Sequence, residues 1–256
     1  MRFPDENGAG LSAFLEALAP GAVVDISPGQ YHGPLTITRP VTLRGAGELT
    51  RISGGTGRPI RIETEGRVVL DSLRLEQGHD DDGGGLLVAH GDVHVRNLHI
   101  HHCRAAARGG AVAVRGGRLT ASGLYTADTT ADKGGALWIG GRGHLVLHEG
   151  QISRCEAIFG GAMAVEDAAV VEVDRLTVAR ARARSRTGGQ ALYAAGDRHV
   201  RPKLDLHRVK IENGSLGLTV VVDPAFPAEV RLRACDMPRT VMRVAGLVDA
   251  GANHWR

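Results

Sequence analysis

Asp174 stands between two histidines, His148 and His207, and Glu172 and Asp205 sit two positions ahead of Asp174 and His207 in this 256-residue chain. Imidazoles beside carboxylates can pass a proton near neutral pH, and two imidazoles with a carboxylate can hold a divalent ion. A second set, Asp81, Asp82, Arg108, Asp128, Asp132 and Lys133, lies in the segments leading into a series of glycine pairs. Cleaving a polysaccharide would need acids and bases of this kind. A third group, "NLHIHHC", gathers His99, His101 and His102 near His94, with no carboxylate or thiol in matching register, so no metal site is expected there. In "HDDDGGG" the acids Asp80, Asp81 and Asp82 are consecutive, whereas calcium loops space their ligands at alternate positions. A solvated polar face accounts for each group as readily as a site does, so the elements that position them decide.

Those elements repeat. Glycine pairs begin at Gly84, Gly109, Gly134, Gly160 and Gly188, about 25 to 28 residues apart, and such a period means a solenoid or an array. Apolar residues (Φ) follow in step as Φ-x-Φ-x-x-Φ-x-Φ: Val68, Leu70, Leu73, Leu75, then Val93, Val95, Leu98, Ile100, and onward to Val230, Leu232, Cys235, Met237. An imperfect earlier copy runs through Leu35, Ile37, Val41 and Leu43. Alternation is the period of a strand with one buried face, and the two-residue gap turns a corner. With the glycine-pair strand this makes three short strands per repeat, one coil of a solenoid. The pattern predicts a single all-β domain, a single-stranded right-handed parallel β-helix of about eight coils over residues 22–244. Residues 1–21 form its N-terminal cap, with a short helix in "LSAFLEALAPG" that sets Phe14, Leu15 and Leu18 on one side. Residues 245–256 are a tail in which Trp255 is expected to plug the far end.

Two stretches carry a resemblance. "PGAVVDISPGQYHGPLTITRPVTLRGAG", from Pro20 to Gly47, resembles the first coils of the pectate-lyase-like superfamily of right-handed β-helices. "TTADKGGAL" and "CEAIFGGAM" are similar to the glycine-pair repeats of polymorphic outer-membrane and adhesin-type proteins, which usually have Asn where this chain has Thr129 and Cys155. The resemblance implies that the glycine-pair strand opens each coil and that the loop before it borders the groove where carbohydrate enzymes of the superfamily work. It implies the fold more than the activity, because that superfamily also holds adhesins and inert scaffolds.

If Val112 and Val114, Leu137 and Ile139, and Met163 and Val165 point inward, the outward columns of the glycine-pair strand follow. One is Leu86, Ala111, Ala136, Ala162 and Gln190, and the next is Val88, Ala113, Trp138, Ala164 and Leu192. Neither offers a carboxylate, a histidine or a base. A continuous apolar strip marks an interface, so Leu86, Val88, Ala113, Trp138, Ala164 and Leu192 are expected to meet a protein partner or a second copy of the chain. The other strands carry the polar ladders, Arg96, Ser122, His148, Asp174, His207 beside His94, Thr120, Val146, Glu172, Asp205.

Net charge is +3 and aromatics are 4% of the chain, so no global imbalance names a partner. Arg180, Arg182, Arg184 and Arg186 alternate ahead of a glycine pair and could contact an acidic partner, but no aromatics interleave them and nucleic-acid binding is not expected. No basic leader with an apolar run opens the chain and no stretch approaches membrane-spanning length, so a cytoplasmic protein is expected. Cys103 and Cys155 fall two coils apart, beyond the reach of a disulfide. The resulting expectation is a non-catalytic interaction or scaffold protein without cofactor or metal. The alternative is a carbohydrate-active lyase or hydrolase with its acids and bases in the loops.

Overall fold

The computed structural model describes residues 2–3, 10–185, 187–197, 199–212, 220–223, 225–237, 242–243 and 247–255. The chain winds through about 7 turns of a parallel β-solenoid, 62% strand and 4% helix. Three faces surround one apolar core. The first is built from the glycine-pair strands, among them Val112–Val114, Leu137–Ile139 and Met163–Glu166, each paired in parallel with the next. The second and third are the two halves of the Φ-x-Φ-x-x-Φ-x-Φ pattern, joined without a break in strands such as His144–Ala157.

The core stack follows the sequence pattern. Val95 pairs with Ala121, Ala121 with Leu147, Leu147 with Val173 and Val173 with Leu206, and none is more than 4% exposed. The corner between the second and third faces has a physical signature. Its last residue adopts a left-handed backbone at Ser72, Asn97, Gly123, Arg175, Arg208 and Ala234, which swings the chain without a long loop. Among the coils from Val68 onward the His148–Glu149 corner departs from this, and there Ser122 pairs with Glu149, one position out of step. The next corner repeats the device at Gln77, His102, Asp128, Arg154 and Arg180, each followed by a buried small or polar residue: Gly78, Cys103, Thr129, Cys155 and Ala181. Thr129 Oγ1 lies 3.2 Å from Cys155 Sγ, and Cys103, Cys155 and Cys235 are free thiols.

The early copy of the pattern straddles a different corner from the one expected. Leu35–Ile37 pairs with residues 60–62 on the first face, while Val41–Arg44 pairs with 68–71 on the second. The N-terminal cap holds a helix at Leu11–Glu16, with Leu11 and Leu18 buried and Phe14 and Leu15 packed on the core. Phe3 adds a ring 5.0 Å from Phe14, and its strand pairs with Asp25 and Ile26. At the other end the stack carries on past 244. Leu247–Asp249 pairs with 230–232, and His254–Trp255 pairs with Asp236–Met237. The side chain of Trp255, expected as a plug, lies outside the described residues.

Candidate functional site

The first face sits in a different register from the one the glycine pairs suggest. The left-handed glycine of each coil is Gly83, Gly109, Gly134, Gly160 or Gly189, so the first and last coils are displaced by one residue from a count on "GG". A one-residue step in a strand exchanges core for surface. Leu86, Val88 and Leu192, expected to face outward as an interface, therefore lie in the main core, as do Ala111, Ala136 and Ala162 at the preceding corner. Gln190 takes the place of a second glycine and is buried, with Oε1 accepting the Ala183 N–H at 2.9 Å.

The true outer column is Leu87, Ala113, Trp138, Ala164 and Tyr193, a separate small cluster. It is closed within the monomer. Leu87, Ala113, Trp138 and Ala164 are at most 2% exposed, so the expected exposed strip does not exist. Charged side chains from the flanking loops roof it. The Arg108 guanidinium stands 4.9 Å from the Trp138 ring centroid, a cation over an aromatic face. Trp138 Nε1 donates to Glu166 Oε2 at 2.8 Å, and Lys133 Nζ donates to Glu166 Oε1 at 2.6 Å. Arg115 pairs with the buried carboxylate of Asp82, which also lies 3.9 Å from Arg108. Tyr193 donates to Asp223 at 2.9 Å and packs against Phe159. Burial, with the Asp223 hydrogen bond, pushes the Tyr193 phenol up and keeps it protonated.

Of the loop residues that sequence singles out, the structure gathers Asp82, Arg108 and Lys133 around Trp138 and leaves the rest apart. Asp81 is exposed. Asp128 is held by Arg154 through two 2.7 Å hydrogen bonds that lower its carboxyl below the usual range, and Asp132 pairs with Arg184 at 3.3 Å. Arg184 also approaches Glu156, and Arg180, Arg182 and Arg184 are all exposed, while Arg186 lies outside the described residues. Trp138→Phe keeps the ring and removes the Nε1 donor from a nearly buried carboxylate. It is expected to lower stability by about 1–2 kcal/mol in a denaturant melt, the cost of leaving such a partner unsatisfied.

The second face holds the open concavity. A groove of about 440 Å³ is lined by Val146, His148, Glu172, Asp174, Asp205, His207, Arg231 and Arg233, so all five residues of the expected polar ladder meet in one place. The pairing Val146–Glu172–Asp205–Arg231 and Asp174–His207–Arg233 puts them on successive rungs. A second depression of about 260 Å³ shares Glu172, Asp205 and Arg231 and adds Lys203 and Glu229. Val146 faces this groove and is only 7% exposed, shielded by its taller neighbours. Arg208 grips Asp174 in a two-pronged hydrogen bond at 2.7 and 2.5 Å and holds its carboxyl below the usual range, with His207 Nδ1 at 3.1 Å. Glu172 meets His144 at 3.1 Å. Asp205 and His148 carry no ion pair among the described residues.

The histidines of "NLHIHHC" divide. His94 turns to Asp92 at 3.1 Å, and His102 turns to Asp128 at 3.8 Å while its ring stays 6.4 Å from that of His101. His99 and His101 share the third face, and a carboxylate does reach them: Glu48, from the short turn Gly47–Leu49, brings Oε1 to 3.6 Å from His99 Nδ1. Sequence reasoning missed it because that turn lies outside the repeat. Two of the thiols are poor nucleophiles. Burial pushes Cys103 up to about 12 and Cys155 to about 11, which disfavours the reactive thiolate.

The class these features define is a parallel β-solenoid with one roofed face and one grooved face. No protein family, curated protein or solved structure was found to match the chain. No helix among the described residues is long and apolar enough to cross a membrane.

Proposed function

We propose that this protein is a non-catalytic interaction module built on a pectate-lyase-like β-helix, and that it engages its partner through the groove of the second face. The carrying observation is the closure of the first face. Its carboxylates Asp82 and Glu166 are each engaged by cations over a buried apolar column, so neither faces an open groove where a substrate could meet it. The resemblance to adhesin-type repeats fits this reading. The groove presents Glu172 and Asp205 next to Arg231 and Arg233, charges of both signs on a rigid sheet, which suits a partner surface of complementary mixed charge. Three free buried thiols fit a reducing compartment.

One observation favours a second reading as a carbohydrate-active hydrolase. Glu172 and Asp205 stand on neighbouring rungs of the groove, with backbones roughly 4.8 Å apart, and glycoside hydrolysis works through two such carboxylates. Incubation with polygalacturonate, alginate and xylan, with and without calcium, is expected to release no unsaturated or reducing ends. Turnover that disappears in Glu172→Gln would replace the interaction reading with the hydrolase one, and turnover lost in Arg108→Ala would move the site to the loops. In parallel, an Asp205→Arg, Arg231→Glu double variant used as bait is expected to lose the partner that the unaltered chain retains. Equal capture by both would remove the groove from the interaction.

A further inference from the structure

The third face carries a cluster that neither the roofed face nor the groove uses. Glu48, His99 and His101 each offer one ligand atom, and these atoms all lie within 4.8 Å of one another. We propose that they form a binding site for a late first-row divalent cation of the zinc type, with at least one coordination position open to solvent.

The argument starts from the strand. His99 and His101 are two residues apart on one strand, so both imidazoles leave the same side of the sheet. Tyr125, the partner of His99 on the next rung, stacks on the His99 ring at 4.8 Å and fixes its plane. The outer nitrogen of His99, Nε2, faces Asn97 Oδ1 at 3.2 Å. That oxygen can only accept, so Nε2 carries a proton, and in the neutral imidazole Nδ1 then keeps its lone pair. Nδ1 then looks at a Glu48 carboxylate oxygen, Oε1, at 3.6 Å. Two acceptors facing each other repel unless a cation sits between them.

His101 also has a nitrogen without a partner. His101 Nε2 is shielded from water and has no hydrogen-bond partner. A buried polar atom without a partner calls for an explanation, and an ion is one of the few that serves. Glu76, in register with His101, is not the missing group, because its carboxylate is turned to Arg74.

The outer partners are those a metal site uses. Arg74 Nη1 donates to Glu48 Oε2 at 3.1 Å and so aims Oε1 at the histidines, as Asn97 aims His99. Its own charge is offset by Glu48 and Glu76 together. A zinc ion with ligands at about 2.0–2.2 Å would draw the three atoms closer than they now lie, a movement within reach of side-chain rotation. Two imidazoles and one carboxylate suit zinc, cobalt, nickel or copper, and exclude calcium and magnesium, which take oxygen ligands. Glu48 is exposed on its turn, so the remaining coordination faces outward, open to water or to a ligand.

The test uses the full chain without a tag, reduced and stripped with a chelator, then titrated with Zn²⁺ by calorimetry and with Co²⁺ by visible absorption. One equivalent is expected to bind, with cobalt giving the bands of a four- or five-coordinate ion. His101→Ala is expected to weaken binding by at least about 100-fold, and Glu48→Gln by at least about 10-fold. His148→Ala, on the second face, is expected to leave affinity and stoichiometry unchanged. Glu48 lies on an exposed turn, so its variant keeps the test open if His101→Ala fails to fold. Stoichiometry near zero, or affinity unaltered in Glu48→Gln and in a folded His101→Ala, would overturn the site and leave a Glu48–His99 ion pair only.

Discussion

Leu147→Asp is expected to destabilise the protein by about 4 kcal/mol or more, at the far end of the range for single substitutions. Leu147 is 1% exposed, between Ala121 and Val173 in the inward stack. A carboxylate there has no cationic partner and no water, and the close-packed interior has no room to admit either. The matched control is the next residue. His148 is exposed on the groove side, and His148→Asp is expected to change stability by no more than about 0.5 kcal/mol. Val146 would be a poorer control, since it faces outward yet lies under its neighbours in the groove. Denaturant melts of the two variants decide the matter. Similar losses at 147 and 148 would mean that the second face does not alternate as described.

Gly134→Ala is the second large effect, expected at about 3 kcal/mol or more. Gly134 has φ +64°, a backbone that costs an L side chain roughly 1–2 kcal/mol. A Cβ at Gly134 would also stand 1.9 Å from the Leu137 carbonyl oxygen, a collision that only backbone movement can relieve. Movement there is resisted on both sides, because Leu137–Ile139 is paired to Val112–Val114 and to residues 163–165. Gly55 separates the two causes. It has φ +60° with nothing within 4 Å of its added Cβ, so Gly55→Ala is expected to show the conformational cost alone, about 1–2 kcal/mol. Equal destabilisation of the two variants in thermal or denaturant melts would mean that the close approach at Gly134 carries no weight.

The coil was legible in the sequence because burial in a solenoid is periodic. Val68, Leu70, Leu73 and Leu75 mark two faces and the corner between them, and each later copy confirms the register. The first face was legible only in part. Around Gly83–Gly84–Gly85 and Gly188–Gly189 the letters allow two alignments, and backbone conformation alone picks the left-handed glycine. That one-residue ambiguity put Leu86 and Leu192 outside and hid Leu87 and Tyr193. The roof over Trp138 was legible only in some of its residues, Asp82, Arg108 and Lys133, and not in what they do there. Arg108 and Lys133 stand at equivalent positions of successive coils, but they and Glu166 meet Trp138 through side-chain reach, which the period does not set. The polar ladder fared better, since Glu172, Asp174, Asp205 and His207 inherit their positions from the strand register itself, and His148 joins them at the corner beside it. Glu48 shows the converse, a residue on an irregular turn whose neighbours in space share no spacing with it.

The parallel stacking of coils has a mechanical consequence. The hydrogen bonds that join coils, from Val95–Ala121 through Leu147–Val173, run along the stack, and each coil is tied chiefly to the one on either side. A load applied along that axis is therefore carried in series, every seam bearing the full tension and none sharing it. The weakest seam sets the strength of the whole, whatever the number of coils. Beyond it, length is released in discrete steps, each coil of about 25 residues adding roughly 80–90 Å of extended chain. Such a body resists bending and crushing through its packed interior, yet lengthens under tension layer by layer, as a stack of plates does when its bonds part.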